Sequence, residues 1–375
     1  MKRKILVVTK HPDSKGGVVN YYNHFFKVFK DDKFELEWFV IGSRPEDYDK
    51  RRKRNFSYAL EFIKDIFNFI IFLRKDKSIE IVQVSPSFMP VPMLRDSIYL
   101  FISRLFKKKT ITFIRGWSTK FENSIKVKSG LYKYVVKYYN KSNKILVLAE
   151  KFKITLSKFG FNTDKIEVTR TMYVDDDIQT RKDDEITGDL KFLYIGRLSF
   201  QKGMMDIIEG TKILNEKGVT VDVEIFGHYA DKDIEAAMNK KITEYNLLNQ
   251  IKINSFISGK EKYEKLANAD VFIFPTYHDE GCPNSIIEAL ASSLFVLSTP
   301  IGAIDELVVD KEHGFILPIK SPDLLSEKMK WCIDNIQNVR QIGSLNSDYA
   351  YANFEQNILL DQIKKIYCDL LQIKY

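Results

Sequence analysis

The chain has 375 residues, 45% hydrophobic and 29% charged, with three cysteines and a formal net charge of +8. That length exceeds what one core usually organises, so two domains are expected. Cys282, Cys332 and Cys368 lie far apart with no C-x-x-C pair, so no disulfide framework or zinc ligand set can be read from them, which suits a reducing cytosol.

In chain order, "MKRKILVVTK" is too short and too quickly charged again to read as a signal peptide. Its "KILVVT" reads as a first strand, and "KHPDSKGGVVNYY" follows. There Gly16 and Gly17 lead into a helix, and their amides can approach an anion closely. No G-x-G-x-x-G follows the strand, so a dinucleotide fingerprint is absent. "LEWFVIG", "IEIVQVS", "TITFIRG", "KILVLA" and "KIEVTR" continue as short apolar strands with amphipathic stretches between them. Such near-continuous apolar strands imply a parallel sheet covered on both faces. The most apolar windows, "YALEFIKDIFNFIIFLRK" and "MPVPMLRDSIYLFISRLF", carry interior charges and do not read as spanning helices.

Charge divides along the chain. Residues 1–190 carry about +14 and the remainder about −6. The basic residues gather in "KRRKR" (50–54), "RLFKKK" (104–109) and "KVKSGLYKYVVKYYNK" (126–141), interleaved with aromatics. Solvated helix faces and contact with an anionic membrane surface both account for this pattern. Nucleic acid is not expected, because no zinc finger or RNP-like motif accompanies the charge. A cytoplasmic location follows, peripheral on the inner face of the cytoplasmic membrane if the second account holds.

After the polar segment 175–189 the alternation restarts with "LKFLYIG", "VDVEIFG", "IKINSF", "DVFIFPT" and "LFVLSTP". The expected architecture is α/β. Two doubly wound Rossmann-like domains, residues 1–187 and 188–350, face each other across a cleft, and a helix in 351–375 returns to the first domain.

Chemistry is expected just after the strands. In "YIGRLSFQKG", Gly196 ends a strand, and Arg197 and Lys202 supply a guanidinium fork and a mobile ammonium beside a helix start. In "EIFGHYAD", Gly227 lets a ligand lie against the backbone. In "HDEGCPNSIIEALASS", Gly281, Cys282, Pro283, Asn284 and Ser285 open a helix starting near Pro283 to Ser285, with Glu280 before it and Glu288 a turn inside. Base contacts by backbone atoms are expected around Phe256 and Ile257. Together these describe a site for a nucleotide diphosphate. Glu288 is placed for the ribose hydroxyls and Glu280 for whatever the phosphates carry.

These residues resemble glycosyltransferase family 4, retaining enzymes of the GT-B fold. "GRLSFQKG", "PTYHDEGCPNSIIEALA" and "TPIGAIDELVVDKEHGFILP" carry the likeness. Glu280 and Glu288 match the family's Glu-x7-Glu motif, Arg197 and Lys202 its Arg/Lys pair, and Gly302, Glu306 and Gly314 its downstream spacing. Arg115, with Gly116-Trp117, stands where many members carry histidine. The resemblance implies transfer of a sugar, with retention and without a metal, from a nucleoside-diphosphate sugar, UDP-linked by expectation, to a hydroxyl on a glycan or lipid-linked glycan. Surface polysaccharide or glycolipid synthesis is the implied setting, and Arg197, Lys202 and Glu280 are the implied catalytic residues. A GT-B nucleotide-sugar epimerase and a non-catalytic basic membrane-binding relative are the alternatives. Asp175 and Asp177 in "YVDDDI" imitate the metal-holding D-x-D pair of single-domain GT-A enzymes, but sit in the linker, where acidic runs are ordinarily solvated. His278, beside Glu280, reads as a loop histidine.

Overall fold

A computed structural model describes residues 2–14, 16–42, 56–125, 130–173, 178 and 190–375. Asp175, Asp177 and the "KRRKR" run lie outside the described residues, as does nearly all of the 175–189 segment. The chain forms two compact units, one made of Met1–Thr171 with Asn357–Tyr375 and the other of Met172–Gln356.

The first unit begins with β1 (Arg3–Thr9), α1 (Gly17–Val28), β2 (Phe34–Val40), α2 (Phe56–Lys75), β3 (Ile79–Val84), the two-residue β4 (Ser87–Phe88) and α3 (Pro90–Leu105). It continues through β5 (Lys109–Phe113), β6 (Gly116–Trp117), α4 (Thr119–Ile125), α5 (Gly130–Tyr139), β7 (Lys144–Val147), α6 (Glu150–Lys158) and β8 (Ile166–Val168). Its six-stranded sheet has the order β2-β1-β3-β5-β7-β8, parallel at every pairing. Parallel strands need crossovers, and the helices that supply them bury both faces of the sheet, which is why Ile5 to Val8 lose all contact with solvent.

The second unit repeats the plan with β9 (Lys191–Ile195), α7 (Met204–Glu216), β10 (Asp222–Phe226), α8 (Lys232–Glu244), β11 (Ile251–Asn254), α9 (Gly259–Ala267) and β12 (Val271–Phe274). Then come α10 (Asn284–Ala291), β13 (Phe295–Ser298), α11 (Ile304–Leu307), β14 (Gly314–Ile316), α12 (Pro322–Asp334) and α13 (Ile336–Phe354). The sheet order is β11-β10-β9-β12-β13-β14, again all parallel. The chain winds outward from β9 to β11, then returns to lay β12 against the other side of β9. The loops after β9 and β12 therefore leave neighbouring strands in opposite directions, and such a reversal opens a crevice at the carboxyl ends.

Every strand expected from the sequence forms. The brief β4, β6 and β14 were not anticipated. They are too short to show a period, and β14 opens on Gly314, whose added Cβ would come within 1.9 Å of the Val296 carbonyl oxygen. After α13, Glu355 turns extended (φ −60, ψ 140), and α14 (Gln356–Leu371) joins the first unit. There a buried polar chain fixes it: the Tyr367 hydroxyl donates to Gln83 Oε1 at 3.0 Å, and Gln83 Nε2 donates to the Tyr22 hydroxyl at 3.0 Å.

One buried ion pair ties α13 to the second sheet. Arg340 Nε donates to Asp270 Oδ1 at 3.0 Å, while Asp270 Oδ2 accepts from the Lys191 amide at 2.9 Å. Removing one partner strands the other charge, which typically costs 3–5 kcal/mol. Arg340→Ala is therefore expected to lower unfolding stability by about 3 kcal/mol in urea titration, and adding Asp270→Asn is expected to restore part of that loss.

Candidate functional site

The second sheet places two loops at its point of reversal. The first runs from Gly196 through Arg197 to a 3-10 turn at Phe200–Lys202. The second runs from Pro275 to Pro283, the N-cap of α10, at φ −71 and ψ 119. Helix α10 thus begins at Asn284, within the Pro283 to Ser285 start expected from the sequence, with Pro283 as its N-cap. The two loops are zipped together: the Tyr277 amide donates to the Gln201 carbonyl at 2.8 Å, and Thr276 Oγ1 lies 3.4 Å from the same oxygen.

Lys202 Nζ and Glu280 Oε1 form a tight ion pair across these loops, their side chains only 15% and 12% exposed. The same carboxylate oxygen accepts from Thr276 Oγ1 at 3.3 Å, and the ammonium stands 4.8 Å above the Phe274 ring. Thr276 is itself pinned, its carbonyl accepting from Thr299 Oγ1 and its hydroxyl accepting from the His278 amide at 3.1 Å. Below the pair, the Tyr194 hydroxyl donates to the Arg197 carbonyl at 2.9 Å. Burial holds that phenol well above the ordinary tyrosine range, and the Glu280 charge adds to the shift. Arg197 points its side chain outward and makes no ion pair among the described residues.

Glu288, one turn inside α10, has a lysine of its own. Lys262 Nζ donates to Glu288 Oε1 at 2.7 Å and the Tyr263 hydroxyl approaches it at 3.4 Å, both from α9. The sequence reading missed Lys262 and Thr276. Lys262 could have been found by the rule that singled out Arg197, since α9 follows the end of β11. Thr276 carries no such signal, because its role depends on which loop lies beside it.

Backbone closeness explains two glycines. A Cβ on Gly227 would meet the Gly196 carbonyl oxygen at 1.9 Å, so the ends of β9 and β10 approach without a side chain between them. Gly302 sits at φ 61, and a Cβ there would meet the Glu280 carbonyl oxygen at 2.0 Å, while the Ala303 amide donates to the Gly281 carbonyl at 2.8 Å. The 299–303 turn thereby cradles the loop that carries Glu280. At the end of β10 the Leu198 amide donates to the His228 carbonyl at 2.9 Å, so His228 lies beside the Arg197 loop. The His228 ring stacks on exposed Phe256 at 5.1 Å and 20°, and the next residue, Ile257, is buried.

The structure thus gathers Gly196, Arg197, Lys202, Gly227, Ile257, Glu280 to Ser285 and Glu288 at the carboxyl end of one sheet. Cys282 is buried there, and His278 is exposed with Nδ1 at 2.8 Å from the Asp279 carbonyl. Glu306 lies on α11. Gly16, Gly17 and Arg115 belong to the first unit. Gly16 caps α1 at φ 132 with its carbonyl accepting from the Val19 and Asn20 amides. Arg115 is buried, its guanidinium 3.4 Å from the centre of the Tyr21 ring and its Nη2 donating to Thr171 Oγ1 at 3.1 Å. A site of two cations, a helix N-terminus and bare strand ends suits an anion rich in oxygens.

Residues 175–344 match the family model described as Glycosyl transferases group 1. That match lies within the second unit. The chain is 28% identical over 179 residues to the amylovoran biosynthesis glycosyltransferase AmsK of Erwinia amylovora, covering 46% of this chain and 43% of that one. It is 26% identical over 229 residues to the capsular polysaccharide biosynthesis glycosyltransferase CapM of Staphylococcus aureus, covering 60% and 58%. The chain therefore spans about half the length of these curated relatives. In three dimensions it resembles Anabaena HepE in complex with UDP, with a TM-score of 0.78 at 14% identity over 98% of this chain and 100% of that one. It also resembles sucrose-phosphate synthase of Thermosynechococcus elongatus, at 0.77 and 12% over 99% and 100%. The fold is GT-B.

The Gly302 contact yields a test of the cradle. Gly302→Ala combines an unfavourable φ with a backbone collision, and should lower stability by about 1–3 kcal/mol in urea unfolding.

Proposed function

We propose that this protein is a glycosyltransferase. It moves a sugar from a nucleoside-diphosphate sugar, UDP-linked by our reading, to an acceptor hydroxyl with retention and without a metal, in polysaccharide or glycolipid synthesis. The observation that carries the proposal is the half-buried Lys202–Glu280 pair at the reversal of the second sheet, with Arg197 beside it and the α10 N-terminus opposite. The printed descriptions of AmsK and CapM, and of HepE with UDP, point the same way.

When the donor enters, its diphosphate competes with Glu280 for the Lys202 ammonium and recruits the outward Arg197 guanidinium. The C1–oxygen bond to the diphosphate breaks and a bond from C1 to the acceptor oxygen forms on the same face. The acceptor proton passes to a leaving phosphate oxygen. Charge grows on that leaving group, and preorganised donors aimed at such charge commonly supply the largest catalytic contribution. Glu280, released from Lys202 and still held by Thr276, is then free to orient sugar hydroxyls. Glu288 accepts from the ribose hydroxyls, with Lys262 keeping it in place. Beyond the ribose, the base rests on the stacked Phe256 and His228 rings, with backbone contacts near Ile257.

Two variants separate the parts of this reading. Lys202→Ala is expected to lower kcat about 10²–10³-fold, with the folded state retained in circular dichroism. Wild-type turnover in that variant would refute the phosphate assignment. Phe256→Ala is expected to weaken UDP binding about tenfold in calorimetry, the worth of one base–aromatic stack, and to leave pyrophosphate binding unchanged. Equal loss for both ligands would remove the base from this platform. Transfer that persists in EDTA, with the product anomer matching the donor, is expected from the metal-free retaining course.

A further inference from the structure

Helix α2 is apolar on both sides. Its inner face buries Phe69 and Leu73, as a helix covering a sheet must. Yet Leu60, Ile63, Phe67 and Ile71 are all exposed, Phe67 to 62%. Their spacing of three, four and four residues puts them in one stripe along the outer face. Helix α3 does the same. Met93 and Leu100 are buried, while Val91, Leu94, Phe101 and Leu105 form an outward stripe, with Leu105 65% exposed. These are the two windows whose apolar character stood out in the sequence, and no described helix is long and apolar enough to cross a membrane.

The helices lie side by side, α3 packing between α2 and α5. On α5 and the turn after it, Lys133, Lys137 and Lys141 are exposed at intervals of four, a lysine row beside the apolar ridges. Lys64 and Arg74 add exposed cations on α2. Two of the three acids of α2 and α3 are buried, Asp65 accepting from the Gly42 amide at 3.0 Å and Asp96 lying against Arg95, while Glu61 is half-buried. α5 has no acidic residue.

We infer that the outer face of α2, α3 and α5 is a docking surface for an anionic phospholipid bilayer. The apolar stripes enter the boundary between headgroups and acyl chains, and the lysine row meets lipid phosphates. Apolar ridges bordered by cations, with most of their acids withdrawn, are the composition that lies on a membrane rather than crossing it. A second copy of this chain would meet the same lysine row, which repels it and attracts anionic lipid. The inference does not depend on the donor chemistry of the second unit.

The test is flotation of the full chain with vesicles of phosphatidylcholine alone or with about one-third phosphatidylglycerol. Wild type is expected to float with the anionic vesicles, to float less in high salt, and to stay behind with the neutral ones. Phe67→Asp combined with Phe101→Asp should cut the anionic partition at least about tenfold, and Lys133→Glu combined with Lys137→Glu should do likewise. Both pairs lie at exposed positions, so unchanged thermal unfolding is expected to accompany the loss. The inference is overturned if wild type ignores anionic vesicles, or if the Phe67/Phe101 variant floats as well as wild type. It is also overturned if ultracentrifugation finds a dimer that this variant dissolves, for then a second copy covers the face.

Discussion

The candidate site depends on a single ion pair formed across the reversal of the second sheet. Lys202 and Glu280 are 78 residues apart, and the winding order β10-β9-β12 makes their loops neighbours. The Tyr277–Gln201 backbone bond and the Gly302 contact set the spacing, and the charged pair fills it. Both side chains are mostly withdrawn from water, where separating the charges costs several kcal/mol unless another charge takes over one partner. The pair is thus stable when the site is empty and exchangeable for an anion of higher charge. A hydrophobic pair of equal volume would hold the loops together as well, and it would offer a phosphate nothing.

The second lysine–glutamate pair gives the site its charge balance. Glu280 precedes α10 and Glu288 lies within it, and each is paired with a different lysine. Arg197, Lys202 and Lys262 set three cations against these two carboxylates, so the five together carry one positive charge in excess. The first-turn amides of α10 add the partial charge of a helix N-terminus. An anion therefore finds a site already biased toward it, and neither glutamate is left as an uncompensated charge when the site is vacant.

The sheets were legible in the sequence because parallel strands buried on both faces must be apolar throughout, and runs such as "KILVVT" and "DVFIFPT" have few other uses. Arg197, Lys202, Glu280 and Glu288 were legible because strand ends and helix starts are where such a fold exposes backbone to a ligand. Partnerships were not. Lys202 to Glu280, Lys262 to Glu288 and Thr276 to Gln201 are set by sheet order, which local spacing does not encode. Arg115 is a further case: the fold lays its guanidinium over Tyr21, where a cation is held by the face of the ring, a contact that its place after the "TITFI" strand does not encode.

The apolar windows carry a related lesson about charge. Hydrophobicity alone admits a buried helix, a spanning helix or one that lies on a surface, and only exposure separates them. In α2 and α3 both faces are apolar, so burial against the sheet accounts for half of what the sequence contains. The excess of positive charge in residues 1–190 does not extend to the rest of the chain, which is net acidic. A surface charge is screened within about 8–10 Å at physiological salt, so only cations close to an anion act on it strongly. In the second unit Lys202, Arg197 and Lys262 are such cations, gathered at the candidate site. The lysine row of α5 belongs to the first unit, and the apolar stripes beside it indicate what kind of surface it meets.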